Sequence, residues 1–326
     1  MRLLVTGGAG YVGSVVAAQL MGAGHDVVVL DDLSTGHRAG VPGGAELMVG
    51  DIRTDAAKVL ADGVDAVLHF AARSLVGESV AYPDRYWSAN LGGSVALLEA
   101  MREAGVRRIV FSSTAAVYGD PASVPIRENA LALPTNPYGA TKVAVDTVLT
   151  EYARMHGMAA VSLRYFNVAG AYQAPGGQWL GERHSPETHL IPNVLAVAQR
   201  GDGPLRIFGD DYPTPDGTCV RDYIHVADLA QAHLLALGAC APGEHKIYNL
   251  GSGTGFSNRE ILAACRDVTG LDIPAQIAGR RAGDPAILVA SSDRIRADLG
   301  WQPSRDLHTI VADAWAFAQA VRQERG

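Results

Sequence analysis

The chain has 326 residues, of which 48% are hydrophobic, and a formal net charge of −7 at pH 7. This length and apolar content suit a globular protein with a full core and exclude disorder as its main state. Lys and Arg form no basic cluster along the chain, so neither nucleic acid nor an anionic membrane is expected as a partner.

The cysteines and histidines give no sign of a disulfide framework or a metal site. The three cysteines lack CxxC spacing, which is typical of a protein from a reducing cytoplasm. The ten histidines form no HxH or HExxH motif, and only His184 and His189 lie close in sequence, so we expect no metal. No stretch reaches the roughly 18 apolar residues of a membrane span, and the first residues become glycine-rich too early for a signal segment. We therefore expect an untargeted, cytoplasmic protein.

The first half of the chain alternates short β-branched runs with longer amphipathic ones. The predicted order is LLVTG, a helix after Gly10, DVVVLDD, ELMVGD, a helix from Thr54, AVLHFAA, a helix near 85–104, RIVFSS, a helix opening at Pro137, and AVSLRYFN. Strands that are apolar throughout are buried on both faces of a parallel sheet, with helices on either side. The pattern predicts an α/β fold with a doubly wound parallel sheet of the Rossmann type over residues 1–168.

After Asn167 the pattern changes to a stretch rich in Gly, Pro and charged residues, which we interpret as a loop. A second, smaller substrate-binding domain is predicted over residues 169–326. The prediction allows some segments of this range to pack as part of the first domain. Its predicted elements are a helix around 190–200, the strands LRIFG, VRDYIH and KIYNLGSG, a helix from about Ser257 and a terminal helix from about 306.

Residues 7–13 read GGAGYVG, directly after a predicted strand and at the start of a helix. Gly7, Gly10 and Gly13 let the chain turn tightly and let backbone N–H groups approach a pyrophosphate at the helix N-terminus. Tyr11 and Val12 belong to the same loop. The motif therefore predicts a dinucleotide site.

Acidic residues at the ends of the next two strands indicate which dinucleotide is bound. Asp31 can accept hydrogen bonds from both ribose hydroxyls of an adenosine and would repel a phosphate on that ribose. Asp32 lies beside Asp31, and no arginine lies between Asp32 and Arg38, so NAD is favoured over NADP. Asp51 and Ile52 are candidates to flank the adenine. The alternative is that GDIRT is only a turn and a helix N-cap.

A tyrosine and a lysine lie four residues apart in PYGATK. If Pro137 opens a helix, Tyr138 and Lys142 lie one turn apart on the same face. Thr114 follows RIVFSS, at the strand edge where open α/β sheets bind ligands. A tyrosine has an ordinary pKa of about 10, so it acts as a base near neutrality only when positive charge stabilises its phenolate. A compact ammonium supplies that charge, whereas the bulkier, planar arginine could not replace Lys142.

The motifs GGAGYVG, FSSTAAVYG, PYGATK and RYFN resemble the extended short-chain dehydrogenase/reductase family. HFAARSLVGES, LGERHSPETHLIP, DGTCVRDYIHVADLA, YNLGSG and RRAGD, which with these span most of the chain, are similar to the members that epimerise UDP-hexoses. The resemblance implies that Tyr138 takes the proton from the carbon-4 hydroxyl while hydride passes to tightly bound NAD. It also implies that Thr114 hydrogen-bonds the same oxygen and that the 4-keto sugar turns and is reduced on its other face. UDP-glucose and UDP-galactose are the expected pair.

The resemblance also implies two sets of binding residues. Around NAD it implies Gly7, Gly10, Tyr11, Val12, Gly13, Asp31, Asp32, Asp51, Ile52, Phe70, Ala71, Ala72, Asn90, Ser112, Tyr138, Lys142, Tyr165 and Phe166. Around the UDP-sugar it implies Thr114, Asn167, His189, Leu190, Arg206, Ile207, Phe208, Arg221, Arg281, Asp284 and Leu288. His189 departs from the usual asparagine, and Ser74 from the lysine of some members. Leu288 falls where members confined to glucose and galactose have tyrosine, so UDP-N-acetyl sugars are expected to react, more slowly.

Two other functions fit the same fold. A nucleotide-sugar 4,6-dehydratase would need an acid and a base for elimination, yet residues 114–117 read TAAV and no carboxylate follows before Asp120. The alternative that is not an enzyme is an NAD-sensing regulatory protein. Such proteins have commonly lost the tyrosine or the lysine. The resemblance and two long helices, at about 85–104 and 138–156, also predict a homodimer built on a four-helix bundle.

Overall fold

The computed structural model describes residues 1–201, 203–281 and 283–325. Its strands are β1 (Arg2–Thr6), β2 (Asp26–Asp31), β3 (Glu46–Val49), β4 (Ala66–His69), β5 (Arg108–Thr114), β6 (Ala159–Tyr165), β7 (Asn167–Ala169), β8 (Ala171–Gln173), β9 (Trp179–Gly181), β10 (Leu205–Phe208), β11 (Val220–His225), β12 (His245–Leu250), β13 (Gly255–Ser257), β14 (Ala275–Ala278) and β15 (Ile287–Leu288).

The α-helices are α1 (Tyr11–Gly22), α2 (Ile52–Leu60), α3 (Val76–Ala81), α4 (Pro83–Tyr86), α5 (Gly93–Glu103), α6 (Pro137–His156), α7 (Leu190–Arg200), α8 (Val226–Gly238), α9 (Asn258–Thr269), α10 (Asp293–Leu299) and α11 (Leu307–Arg325). Short 3-10 turns span Arg38–Gly40 and Ala115–Tyr118, and a π-helical segment spans Trp87–Gly92. None of the helices formed by the described residues is long and apolar enough to cross a membrane.

A seven-stranded sheet forms the centre of the molecule, in the order β12-β6-β5-β4-β1-β2-β3, and all its neighbouring strands are parallel. Leu3, Val5 and Val29 belong to a core on one face, with residues of α1 and α8. Leu4 and Val28 belong to a core on the other face, with residues of α2, α5 and α6. Both faces are therefore covered, which confirms the predicted doubly wound sheet and explains the continuous apolar runs within its central strands.

The remaining strands form smaller sheets. β11 pairs with β13, β15 and β7, β10 pairs with β14, and β8 pairs with β9. A third core joins residues of α7, α9 and α11 to Tyr223 of β11. The stretch after Asn167 is not wholly a loop as predicted, because it contains β7, β8 and β9. β12, from the predicted KIYNLGSG segment, lies at the edge of the large sheet beside β6.

The predicted helix near 85–104 is divided into α4, the π-helical segment and α5. The π-helical segment contains Asn90, which is buried and donates through its side-chain amide to the Arg73 carbonyl (3.0 Å) and to the Thr141 hydroxyl (3.1 Å). Its side-chain oxygen accepts from the Arg73 N–H at 2.8 Å. These bonds tie the segment to the chain after β4 and to α6, and π-helical turns often occur at such functional contacts.

Candidate active site

A cavity of about 560 Å³ opens at the carboxyl ends of β1, β2, β4, β5 and β6. This is the edge on which open α/β sheets bind ligands, and the cavity spans the point where the strand order reverses between β1 and β4. The predicted residues in its wall are Gly7, Gly10, Tyr11, Val12, Gly13, Asp31, Asp32, Asp51, Ile52, Phe70, Ala71, Ala72, Ser112, Thr114, Tyr138, Lys142, Tyr165, Phe166, Asn167, His189, Leu190, Arg221, Asp284 and Leu288. Its predicted neighbours Asn90, Arg206, Ile207, Phe208 and Arg281 are not among the residues of that wall.

The glycine-rich loop is packed too closely for side chains at two of its glycines. Gly7 has a φ of +71°, and a Cβ there would lie 2.6 Å from the Ala71 nitrogen. A Cβ at Gly13 would lie 2.4 Å from the Gly7 oxygen. No side chain caps α1 at Gly10, so its first N–H groups face the cavity as a site for an anion.

Asp31 is buried, and two backbone groups orient its carboxylate. The Ala9 N–H of the glycine-rich loop donates to one oxygen at 2.9 Å, and the Leu33 N–H donates to the other at 2.8 Å. Burial raises the pKa of Asp31, while the two N–H bonds oppose that rise. A carboxylate has about four acceptor positions, so acceptor capacity remains for two hydroxyl groups of a ligand.

Asp51 is a helix N-cap and also a residue of the cavity wall, and its place beside the adenine stays a prediction. It is the N-cap of α2, where its side chain accepts from the Arg53 N–H at 2.8 Å, and it also lines the cavity. The Arg53 guanidinium lowers the pKa of Asp51 through a hydrogen bond and its charge. The helix begins at Ile52, two residues before the predicted start, because Asp51 supplies the cap.

Tyr138 and Lys142 lie on the first turns of α6, which begins at Pro137 as predicted. The Asn136 side chain caps the helix by accepting from the Gly139 N–H at 2.9 Å. At Gly139 a Cβ would lie 2.4 Å from the Ala116 oxygen, so only glycine lets the helix start this close to the end of β5. That contact brings Tyr138 towards Thr114.

Lys142 is 2% exposed, and its ammonium group donates to the Ser112 carbonyl at 2.9 Å. The ammonium nitrogen lies 5.8 Å from the centre of the Tyr138 ring and 4.7 Å from that of Phe111. Burial lowers the pKa of Lys142 to about 8, against the opposing effect of the Asp146 carboxylate. The side chain is therefore mainly a cation at neutral pH.

Burial raises the pKa of Tyr138, and a hydrogen bond with Thr114 partly opposes the rise. Thr114, at the end of β5, is itself 9% exposed and also accepts from the Ala116 N–H at 3.1 Å. The ring of Tyr86 packs edge-on against the Tyr138 ring, with centroids 6.5 Å apart. The phenol is thus held in place as a neutral group that needs further positive charge to ionise.

Arg221, Asp284 and Leu288 line the end of the cavity away from the glycine-rich loop. Arg221 on β11 pairs in the sheet with Leu288 on β15, and its guanidinium lies 3.7 Å from an Asp284 oxygen. Asp222, the sequence neighbour of Arg221, belongs to the buried interior and not to a surface ion pair. It is fully buried and accepts from the Ser252 N–H at 2.7 Å and the Ala290 N–H at 3.0 Å.

Three of the predicted residues outside the cavity wall, Arg206, Phe208 and Arg281, form a cluster beside Asp284. The guanidiniums of Arg206 and Arg281 lie 5.3 Å and 5.2 Å from the centre of the Phe208 ring. Arg281 also donates to Asp284 at 2.8 Å. These arginines therefore lie on an aromatic side chain next to the cavity, while Ile207 is buried in the core.

The sequence analysis missed several residues of the cavity wall. Among them are Ser34, Thr35, Gly36, Arg53, Arg73, Ser74, Leu75, Val76, Ala89, Ala116, Gly119, Asn136, Val168, Glu182, His184, Ile191, Pro192 and Tyr223. Six of them belong to loops directly after predicted strands, a position that would have indicated Ser34, Thr35, Gly36, Arg73, Ser74 and Leu75.

Glu182 and His184 do not follow a predicted strand, and their spacing with His189 is neither that of an HxH nor that of an HExxH motif. Glu182 lies between the two imidazoles, 2.8 Å from Nδ1 of His184 and in contact with Nδ1 of His189. Burial alone would raise the pKa of Glu182, but the imidazoles outweigh it and hold the pKa at about 2. The bonds to Glu182 and Glu187 raise the pKa of His184 to about 10.

Comparisons with known proteins point to one family. A model of the NAD dependent epimerase/dehydratase family matches residues 3–251. The UDP-glucose 4-epimerase of Corynebacterium glutamicum is 56% identical over 323 residues, which cover 98% of this chain and 97% of that protein. The UDP-glucose 4-epimerase of Streptomyces lividans is 59% identical over 322 residues, covering 97% and 95%. A crystal structure of UDP-glucose 4-epimerase from Stenotrophomonas maltophila with bound NAD and formylated UDP-arabinopyranose has a TM-score of 0.94 at 38% identity and covers 99% of both chains.

Proposed function

The chain belongs to the NAD dependent epimerase/dehydratase family, and we propose that it is a UDP-hexose 4-epimerase that interconverts UDP-glucose and UDP-galactose. The observation that best supports this function is that Thr114, Tyr138 and Lys142 line the same cavity as the glycine-rich loop. More than half of the residues are identical to those of proteins named UDP-glucose 4-epimerase. The enzyme is therefore an isomerase that uses NAD.

The residues at the glycine-rich end fit NAD. Gly7 and Gly13 leave no room for side chains, so the backbone approaches the pyrophosphate closely, and the uncapped N-terminus of α1 faces its charge. Asp31 is oriented to accept from the adenosine ribose hydroxyls and repels a phosphate at that position. Lys142 donates to the ribose next to the nicotinamide. When bound, NAD supplies the acceptor for the hydrogen on carbon 4 and returns it to the opposite face.

Tyr138 is the base that accepts the proton of the carbon-4 hydroxyl. Because burial raises its pKa, the phenolate forms only when nearby positive charge stabilises it, and the Lys142 ammonium supplies part of that charge. Thr114 hydrogen-bonds the same substrate oxygen and keeps it near the phenol. When the 4-keto group is reduced, Tyr138 returns the proton, so the base is ready for the next turnover.

Inversion requires the 4-keto sugar to turn while its nucleotide half stays bound. Arg221 offers a planar fork to the diphosphate, and Asp284 accepts from the uridine ribose hydroxyls. Asn167, His189 and Leu190 complete that end, and the arginines stacked on Phe208 form its outer edge. The sugar then turns about its link to the diphosphate.

The rival dehydratase function lacks its acid and base directly after Thr114, where the sequence reads TAAV. The 3-10 turn Ala115–Tyr118 directly after Thr114 contributes Ala115 and Ala116 to the cavity wall, and neither carries an ionisable group. A regulator that only senses NAD would not need Tyr138 and Lys142 in the wall of the cavity. Neither alternative is favoured by a feature of its own.

The homodimer and the cytoplasmic location belong to the same proposal. Val80, Tyr82, Trp87 and Met155 are exposed apolar residues on or beside α3, the π-helical segment and α6, which is the surface expected to form the four-helix bundle. The three cysteines are unpaired, which suits a reducing compartment.

The test is to incubate purified protein with UDP-glucose, UDP-galactose and both UDP-N-acetylhexosamines and to separate the epimers by chromatography. We expect UDP-glucose and UDP-galactose to reach the same equilibrium mixture from either side without added NAD. Conversion to a dehydrated 4-keto product, or no conversion of any sugar, would contradict the proposal.

A further inference from the structure

The loop between β9 and α7 carries four side chains that are common metal ligands. Glu182, His184, Glu187 and His189 follow the pattern Glu-x-His-x-x-Glu-x-His within eight consecutive residues. One ligand atom of each lies within 4.8 Å of those of the other three. Local chain geometry alone therefore brings two imidazoles and two carboxylates together.

The four groups converge on one point. Nδ1 of His184 and Nδ1 of His189 both contact the same oxygen of Glu182, the first at 2.8 Å. An oxygen of Glu187 lies 3.8 Å and 4.0 Å from those two nitrogens. Ligands that share a tetrahedral ion at the usual bond lengths are about 3.3 Å apart, so small side-chain adjustments would place all four around one ion.

Two further features of the cluster are compatible with a bound ion. The Glu182 side chain is 5% exposed, and a metal ion would supply the positive charge that a buried carboxylate needs, as the imidazoles do without an ion. The N–H groups of Thr188 and His189 donate to one oxygen of Glu187 at 2.7 Å and 2.8 Å, which fixes that carboxylate as outer hydrogen bonds commonly fix metal ligands.

We propose that Glu182, His184, Glu187 and His189 form a binding site for one divalent transition-metal ion, with Zn²⁺ as the best match to two imidazole nitrogens and two carboxylate oxygens. The proposal replaces our sequence-based expectation that the chain binds no metal. It goes beyond the epimerase function and does not depend on it. Glu182, His184 and His189 also line the cavity, so the ion would lie where an oxygen of a diphosphate could become a further ligand.

The direct test is a titration of chelator-treated protein, with its NAD retained, by Zn²⁺ alone, followed with a chromophoric competitor and by calorimetry. We expect one ion per chain, with an affinity that falls as the pH is lowered, because the ion must displace the protons of the imidazoles. Glu182→Gln and His184→Asn should each weaken binding by roughly tenfold or more. X-ray absorption of the zinc protein should show two imidazole ligands.

His189→Asn and His308→Asn provide the matched comparison. His189 is half-exposed and occupies a position where the family usually has asparagine, so its variant should fold and still lose affinity. His308 is exposed and lies beside Asp267, away from the cluster, so its variant should bind as the parent does. Melting curves of the metal-free variants identify any loss of fold. The proposal is overturned if the parent binds no zinc, or if His189→Asn binds it as tightly as His308→Asn does.

Discussion

The ammonium of Lys142 lies 5.8 Å from the centre of the Tyr138 ring, one helical turn away, and donates to the Ser112 carbonyl at 2.9 Å. The carbonyl fixes the direction of the lysine, and the helix fixes its distance from the phenol. Because both side chains are largely shielded from water, the charge of one strongly affects the ionisation of the other. Substitutions that remove or exchange one functional group of Tyr138 or Lys142 therefore test the proposed acid–base chemistry directly.

Tyr138→Phe should remove the base and little else. We expect turnover to fall by roughly 10²–10⁴-fold, the range that a positioned acid–base group contributes, with the melting temperature and bound NAD unchanged. The measurement is the rate of UDP-galactose conversion in protein whose NAD content has been determined.

Tyr86→Phe is the control for this substitution. The Tyr86 ring packs against Tyr138, and the Tyr86 hydroxyl donates to the Leu75 carbonyl at 2.7 Å. Tyr86 is not among the residues of the cavity wall. The control should lose some stability and keep most turnover. Equal losses of turnover in the two variants would contradict the role of Tyr138.

Lys142→Arg should be nearly as inactive as Lys142→Met, although arginine keeps the charge. The ammonium occupies a site that is 2% exposed and fits between the Ser112 carbonyl and the Phe111 ring, where a planar guanidinium is too large. Turnover and NAD content of both variants check this. An arginine variant with near-parental turnover would show that charge alone is sufficient.

The nucleotide half of the fold was predictable because local pattern and tertiary structure agree there. β1 and β2 are covered on both faces and are apolar along their length, and glycines mark the turn that follows β1. Pro137 and Asn136 likewise mark the start of α6 by their own backbone chemistry. Periodicity could not reveal β7, β8 and β9, since three-residue strands are too short to show it.

The site was predictable where motifs follow strands and not where contacts depend on folding. The contact of Asn90 with the cofactor stays a prediction, and its bonds to Arg73 and Thr141 in the π-helical segment could not be predicted from spacing. Glu182 and His184 alternate with Glu187 and His189 over eight consecutive residues, but this spacing matches neither HxH nor HExxH, so the cluster was not predicted.

Purified protein should contain NAD, and Asp31→Asn should contain much less. The Asp31 carboxylate both accepts from the Ala9 N–H and is oriented towards the ligand, so an amide loses charge-assisted bonds on both sides. Nucleotide released by denaturation is identified by its mass. The parent should yield NAD and no NADP, and finding NADP or no nucleotide would contradict the assignment of Asp31.

His233→Phe should make the protein less sensitive to acid. Burial lowers the pKa of His233 to about 4, below its ordinary value of 6.5, and its Nε2 atom is buried without a partner. Between those values the unfolded chain binds a proton that the native ring does not, so the stability this group provides is complete above pH 6.5 and is lost as the pH falls towards 4. The ring packs on Phe70, with centroids 4.9 Å apart, and phenylalanine preserves that contact.

The measurement for His233 is the free energy of unfolding at pH 7 and pH 4.5. The decrease between them should be about 2 kcal/mol smaller in His233→Phe than in the parent. Burial also lowers the pKa of His69, to about 3. Because His69 is present in both proteins, it contributes equally to the decrease in each. An identical decrease in both would mean that His233 does not resist protonation.

Leu288→Tyr should narrow the range of sugars. Leu288 lies in the cavity wall, pairs in the sheet with Arg221, and packs against the cluster that contains Ala115 and Phe166, close to Thr114. A larger ring there would occupy the space expected beside carbon 2, where an acetamido group must fit. We expect conversion of the UDP-N-acetyl sugars to fall by roughly tenfold or more while UDP-glucose and UDP-galactose react at nearly the parental rate.

Leu288→Met is the matched control for that change, because it alters the shape of the side chain and leaves its volume almost constant. Both pairs of sugars should react with it as with the parent. The quantity that decides is the ratio of kcat/KM between the N-acetyl pair and the glucose pair, since a general disturbance of the site lowers both values and leaves their ratio unchanged. A ratio in Leu288→Tyr equal to that of the parent would therefore mean that position 288 does not limit the size of the sugar, whatever the activities themselves are.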